Sequence, residues 1–323
     1  MVMVVNLRYL LLIGLVLSIV PVSADNSVAS WGYQLQNYNL NQLQQSSYDL
    51  LVLDYSKDGS DEEAFTFTEL NTIRAENKIL LSYISIGEAE DYRSYFNQTW
   101  HQNPPEWLGD ENPDWEGNYK VHFWDEHWQS IVFEYLDKII AQGFDGVYLD
   151  IIDAYEYYQA DYADADQWMI DFVISIANYT RSEVSDFLIV PQNGDPLLVE
   201  DRYRNVIDGI GREDTFILPD EQKLRSHSEL AEIEKNLDLL INDGKLVLTV
   251  DYSDDTELIT SARQAATAKG YIPYIGPLDL DTLYSPDYTG QDKTMPLAIV
   301  PAVIAIGVIV WVKIVRGNYR AKF

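Results

Sequence analysis

Eight short apolar runs alternate with helical patterns through the middle of the chain, and this alternation limits the possible folds more than any other feature. The runs are Val28–Tyr33, Leu50–Asp54, Ile79–Ile86, Gly146–Asp150, Phe187–Gln192, Val206–Gly211, Leu246–Asp251 and Tyr271–Ile275. Short runs rich in Val, Ile, Leu and Tyr suit strands of a parallel sheet buried on both faces. Ahead of the fourth run, Ile131, Val132, Tyr135, Leu136, Ile139 and Ile140 recur at helical spacing, and Gly143 stands where that helix would stop. Ser226 with Glu229 forms a capping box, and Gly244 closes the helix that follows. Asp254 with Glu257 opens another helix, which Gly270 ends. Strand and helix alternating eight times predict an α/β fold, a (β/α)8 TIM-type barrel over residues 25–283. Two intervals are irregular. Only about a dozen residues join the fifth and sixth runs, enough for one or two helical turns between Pro196 and Arg202. Residues 91–128 read as one long loop rich in Trp, Tyr, Asn and Asp, of the kind that serves as a lid.

The two ends of the chain carry different signals. In residues 1–24, Arg8 precedes an apolar stretch from Tyr9 to Val20, and Val22-Ser-Ala24 offers small residues for cleavage. That pattern predicts a secretory signal segment. Residues 296–315 are apolar up to Lys313, and Arg316, Arg320 and Lys322 follow. A single transmembrane helix is expected there, with a basic tail, 316–323, in the cytoplasm. Residues 284–295 would tether the barrel to it. The expected placement is a single-pass cell-membrane protein with its barrel extracellular.

Composition removes several classes of function. A net charge of -30 leaves no basic footprint for nucleic acid. With no cysteine there is no disulfide, no thiolate metal site and no thiol nucleophile. His101, His122 and His127 match no metal-ligand spacing, so no metal is expected. Phosphate-loop and dinucleotide fingerprints are absent, and no cofactor is expected.

The predicted strand ends collect acids, amides and aromatics. Asp54 ends the second run, Glu88 and Glu90 follow the third, and Asp150 ends the fourth with Asp153 one turn on. Gln192-Asn193-Gly194-Asp195 follows the fifth, Glu213 the sixth, and Asp251-Tyr252 the seventh. In a barrel these converge on one rim. Each acid taken singly reads equally well as a helix cap. Together they form the kind of ring that handles sugars, where two carboxyl groups suffice to cleave a glycosidic bond. Trp107, Trp115 and Trp124 are the candidates in the aromatic loop for stacking on a sugar ring.

Five motifs lie along the chain in order: Trp31-Gly-Tyr-Gln34, Leu50-Leu-Val-Leu-Asp54-Tyr55, Leu81-Ser-Tyr-Ile-Ser-Ile-Gly-Glu88-Ala-Glu90, Gly143-Phe-Asp-Gly-Val-Tyr-Leu-Asp150 and Gly209-Ile-Gly-Arg-Glu213. Over roughly residues 28–277 the chain resembles glycoside hydrolase family 114, the endo-α-1,4-polygalactosaminidases, and in particular their prokaryotic extracellular branch. The resemblance implies a (β/α)8 barrel that hydrolyses an α-1,4-linked amino-sugar polysaccharide. It implies a retaining pair, with Asp150 as nucleophile and Glu213 as general acid/base. Gly209 and Gly211 would let a ligand approach the backbone ahead of Glu213. The expected substrate contacts are Trp31, Tyr33, Asp54, Tyr83, Glu88, Glu90, Trp124, Asp153, Asn193, Asp251 and Tyr252. The expected partners are a polysaccharide and, through the C-terminal helix, a membrane. A surface carbohydrate-binding barrel without catalysis and a structural envelope protein are the alternatives.

Overall fold

A computed structural model describes residues 28–74 and 77–288. The segments expected to be a signal, a transmembrane helix and a basic tail, 1–24, 296–315 and 316–323, lie outside the described residues. Among the described residues no helix is long and apolar enough to cross a membrane.

Eight parallel strands form the centre. β1 (Trp31–Tyr33), β2 (Leu50–Asp54) and β3 (Ile79–Ser85) pair in sequence order, followed by β7 (Gly146–Asp150) and β8 (Leu188–Pro191). The second group is β9 (Gly209–Glu213), β12 (Leu246–Tyr252) and β13 (Ile272–Gly276). A parallel bridge from Gln192 to Gly211 joins the groups on one side. On the other side the indole N–H of Trp31 donates to the Ile272 carbonyl at 2.8 Å. The result is the predicted barrel, and its interior is filled with aromatic rings. Trp31 lies 5.8 Å from Tyr33, 6.0 Å from Tyr148 and 5.8 Å from Tyr274 between ring centroids. Strands buried on both faces explain why the runs stood out as short, mostly apolar segments.

The helices cover the outside and begin and end at the residues that local chemistry favours. α3 (Glu126–Gln142) buries Trp128, Val132, Tyr135, Leu136 and Ile139, and stops at Gly143, whose φ of 91° is open to glycine. The capping box of Ser226 and Glu229 opens α7 (His227–Asn242), an arrangement worth about 1 kcal/mol. Asp255, one residue after the expected Asp254, caps α8 (Thr256–Ala268) by accepting from the amides of Glu257 and Leu258. Between β8 and β9 the crossover is a short 3-10 turn, Asp195–Val199, and one turn of helix, Asp201–Arg204, as the interval allowed.

Three expectations are corrected. The first strand is three residues long, because Ala29 and Ser30 give their amides to the Asp49 carboxylate instead of a ladder. The sixth strand runs 209–213 where 206–211 was expected. Val206 and Ile207 belong to the preceding turn, where their carbonyls accept from Arg181 and Lys245. The stretch 91–128 is not one loop. It holds β5 (Leu108–Glu111) and β6 (Asn118–Val121), which join β4 (Glu88–Glu90) in an antiparallel sheet ordered β4-β6-β5. Irregular alternation and a bulge between Leu108 and Glu111 hid these strands from a periodicity reading. At the start of the expected tether, residues 284–288 are docked on the barrel. The Tyr284 carbonyl accepts from Tyr48, and the Tyr288 carbonyl accepts from Arg263 at 2.8 Å.

Candidate active site

The carboxyl ends of β7 and β9, separated only by β8, bring Asp150 and Glu213 into one cluster. Asp150 ends β7 in register with Ser85, and Glu213 ends β9 in register with Val250. One Asp150 oxygen accepts from the Tyr83 hydroxyl at 2.7 Å, and the other accepts from the Ile151 amide at 2.8 Å. Ile151 has a φ of 57°, a left-handed conformation that a β-branched residue adopts at a cost of about 1–3 kcal/mol. This turn aims the Ile151 amide back at the carboxylate it follows. Gly87 makes the turn possible, since a Cβ there would lie 2.2 Å from the Ile151 carbonyl.

Asp150 is 8 % exposed. Burial first, then the charge of Glu213, pushes its pKa up to about 8, while the bonds from Tyr83 and Ile151 oppose the rise. Asp153, in the turn after β7, is raised to about 6 by burial and the nearby Glu156. Asp214, directly after Glu213, rises to about 7 through burial and its neighbour's charge. Of the three, Asp150 is the one that stays mainly protonated at neutral pH.

A relay of polar groups fixes Glu213. Its carboxylate accepts from Tyr252 and from the Gln192 amide at 3.2 Å. Gln192 in turn accepts from Tyr33 at 3.1 Å. The Glu213 backbone amide donates to the Asn193 side chain at 3.0 Å. Arg212 donates to Asp195 at 3.0 Å, tying the same turn to the one after β8. Gly209 and Gly211 make room for the barrel itself and not for a ligand. A Cβ on Gly211 would sit 1.8 Å from the Tyr148 hydroxyl, and one on Gly209 would sit 2.6 Å from the Leu246 side chain.

The expected substrate contacts fall into distinct groups. Tyr83 bonds to Asp150, Tyr252 to the Glu213 carboxylate and Asn193 to the Glu213 backbone, and Asp153 lies within electrostatic reach of Glu213. Trp31 is fully buried, with its N–H satisfied inside the barrel, so it is a core residue. Tyr33 is also buried and acts through Gln192. Asp54 and Glu90 are both committed to Arg93, at 2.7 Å each. Arg93 is 3 % exposed, and its guanidinium also lies 4.8 Å from the Tyr92 ring centroid and 5.7 Å from that of Tyr83. Glu88 is buried and accepts from Asn112 at 2.8 Å, Tyr157 at 3.2 Å and Asn118 at 3.4 Å. Asp251 is buried, and one of its oxygens accepts the Phe216 and Ile217 amides at 2.7 and 2.8 Å. Its role is to hold the turn after Glu213. Trp124 packs among His122, Tyr158 and Trp168 at 5.0, 4.9 and 5.0 Å. Trp107 is buried between Trp100 and Trp128, whereas Trp115 is exposed.

Arg93, Asn112, Tyr157 and Asp214 were not singled out from the sequence. Arg93 did carry a signal: it is the sole Lys or Arg between Lys78 and Lys120, set among acids. A lone cation in such a stretch finds carboxylate partners when it is buried.

The family model for glycoside-hydrolase family GH114 matches residues 20–291. The chain belongs to family GH114. A protein from Methanocaldococcus jannaschii is 42 % identical over 271 residues, covering 80 % of this chain and 78 % of that protein. One from Thermotoga maritima is 38 % identical over 269 residues, covering 78 % and 81 %. Among solved structures, the glycoside hydrolase domain of PelA from Pseudomonas aeruginosa aligns with a TM-score of 0.61 at 15 % identity, over 79 % of this chain and 97 % of that one. Ega3 from Aspergillus fumigatus, solved in complex with galactosamine, aligns with a TM-score of 0.59 at 15 % identity, over 80 % and 94 %. At such identities the likeness is one of fold, and it agrees with the barrel found in this GH114 chain.

Proposed function

We propose that this GH114 protein hydrolyses an α-1,4-linked, galactosamine-type polysaccharide with Asp150 and Glu213 as its catalytic pair. The observation that carries the reading is the placement of two held carboxyl groups, Asp150 and Glu213, at the ends of strands separated by one strand on the same rim, with the pKa of Asp150 raised by burial first and then by the charge of Glu213. A binding scaffold needs no such pair. An enzyme needs two carboxyl groups in different protonation states.

In the free protein at neutral pH the proton rests on Asp150. A substrate ammonium bound beside the pair favours the ionised form of Asp150, the form a nucleophile requires. The proton passes to Glu213, which protonates the glycosidic oxygen as Asp150 attacks the anomeric carbon. The glycosyl–Asp150 ester then yields to a water that Glu213 deprotonates, with retention of configuration. A neutral sugar lacks the charge that releases Asp150, so the reading favours a deacetylated amino sugar. That Ega3 was solved with galactosamine supports the same sugar class.

We further propose that the barrel works outside the cell, held to the membrane by residues 296–315. The apolar stretch and the basic residues after it support this placement.

Turnover of deacetylated α-1,4-galactosamine oligomers by purified Asp150→Asn and Glu213→Gln proteins tests the chemistry. Each should lose about 10²-fold or more in kcat while circular dichroism stays unchanged. Glu213→Gln should recover most on substrates whose leaving group needs no proton. Turnover near the parent's in a folded Asp150→Asn protein would end the assignment.

A further inference from the structure

Trp115 stands at the tip of the hairpin between β5 and β6 and is 59 % exposed. The tip is rigid. The Trp115 amide donates to the Asn112 carbonyl at 3.2 Å, Asn118 donates to the Trp115 carbonyl at 3.1 Å, and Gly117 donates to the Glu111 side chain at 2.7 Å. Asn112 is 9 % exposed and points inward, giving its side-chain amide to Glu88 at 2.8 Å. Glu88 also takes the Tyr157 hydroxyl, from the helix that follows Asp150. The hairpin is therefore fixed to the catalytic rim through one buried carboxylate, so its tip holds a constant position relative to Asp150.

Near Trp115 in the chain, Glu111, Asn112, Pro113 and Glu116 line an open surface hollow of about 250 Å³. Glu111, Asp114 and Glu116 are exposed on the same hairpin tip. No Lys or Arg occurs in the sequence between Arg93 and Lys120. An open indole face stacks on the C–H face of a pyranose, and carboxylates beside it attract an ammonium. The two features together match one chemistry, a sugar ring that carries a positive charge.

We infer that the hairpin tip is a distal subsite, seating a cationic amino-sugar unit of the polymer away from the bond being cleaved. This inference rests on the proposed hydrolase function and extends it from the scissile bond to the length of the chain that is gripped. A distal subsite improves the binding of long chains and leaves short ones unaffected, because only a long chain reaches both places.

The test compares deacetylated α-1,4-polygalactosamine with its tetramer, using the full chain. Trp115→Ala should raise KM for the polymer about tenfold and leave kcat/KM for the tetramer unchanged. Trp115→Phe should restore most of the loss. Glu116→Gln should weaken binding of the deacetylated polymer and not of its N-acetylated form. Affinity electrophoresis through gels containing each polymer reads binding without turnover. If the parent hydrolyses nothing, the hydrolase reading fails, and retardation of the parent but not of Trp115→Ala still supports the subsite. Equal retardation of the two proteins overturns it, as does an equal loss on tetramer and polymer.

Discussion

Replacing Asp150 by Asn should make the protein inactive and, above acid pH, more stable. An unperturbed aspartate has a pKa near 3.9, and in the fold Asp150 is raised to about 8. Between those values the folded chain binds a proton that the unfolded chain does not. The Asp150 contribution is therefore favourable below about pH 3.9, and stability declines as pH rises toward 8. The accumulated cost is about 4 kcal/mol at pH 7 and about 5 kcal/mol at pH 8, taking 1.36 kcal/mol per pKa unit. Asn mimics the protonated form and avoids that cost at every pH. Its carbonyl oxygen can accept from Ile151, and its amide can donate to the Tyr83 hydroxyl, which reverses its role. Weaker geometry in these two bonds takes back about 1 kcal/mol. A net gain of about 3 kcal/mol at pH 7 corresponds to roughly 6–12 °C in Tm for a domain of this size. Thermal unfolding followed by circular dichroism from pH 4 to pH 8 measures the gap between the two proteins. Other raised acids, among them Asp153, Asp214 and Asp251, titrate in both and largely cancel. The gap should be near zero at pH 4 and widen with pH. A gap that does not change with pH, or an Asn variant less stable than the parent at pH 8, would refute the argument.

Tyr83→Phe removes a bond that favours ionised Asp150, so the rising limb of the kcat/KM profile should move to higher pH, read from oligomer hydrolysis across pH 5–9 (about two pH units either side of neutrality). Arg93→Met leaves the buried Asp54 and Glu90 carboxylates facing each other without their cation, and should cost about 3–5 kcal/mol in urea unfolding at pH 7. Protease added to intact cells should remove residues 25–283 and spare the basic tail; full protection of the barrel would reverse the proposed orientation.

Much of this protein could be read along the chain. The eight strand runs are local features: each is apolar because both of its faces are covered, and the capping pairs and closing glycines act within one turn. The positions of Asp150 and Glu213 followed from the same logic, since a strand end in a parallel barrel always reaches the rim. What tertiary structure alone decided is which partners each acid has. Asp54, Glu88, Glu90 and Asp251 look alike in sequence, yet Arg93 pairs with two of them, two asparagines and a tyrosine donate to the third, and two backbone amides hold one oxygen of the fourth. Trp31 and Trp115 differ just as little in sequence, and one closes the barrel while the other faces solvent. A side chain's chemistry is local, but its burial and its partners come from segments up to 247 residues away, and these set the charge and availability of every group on the rim.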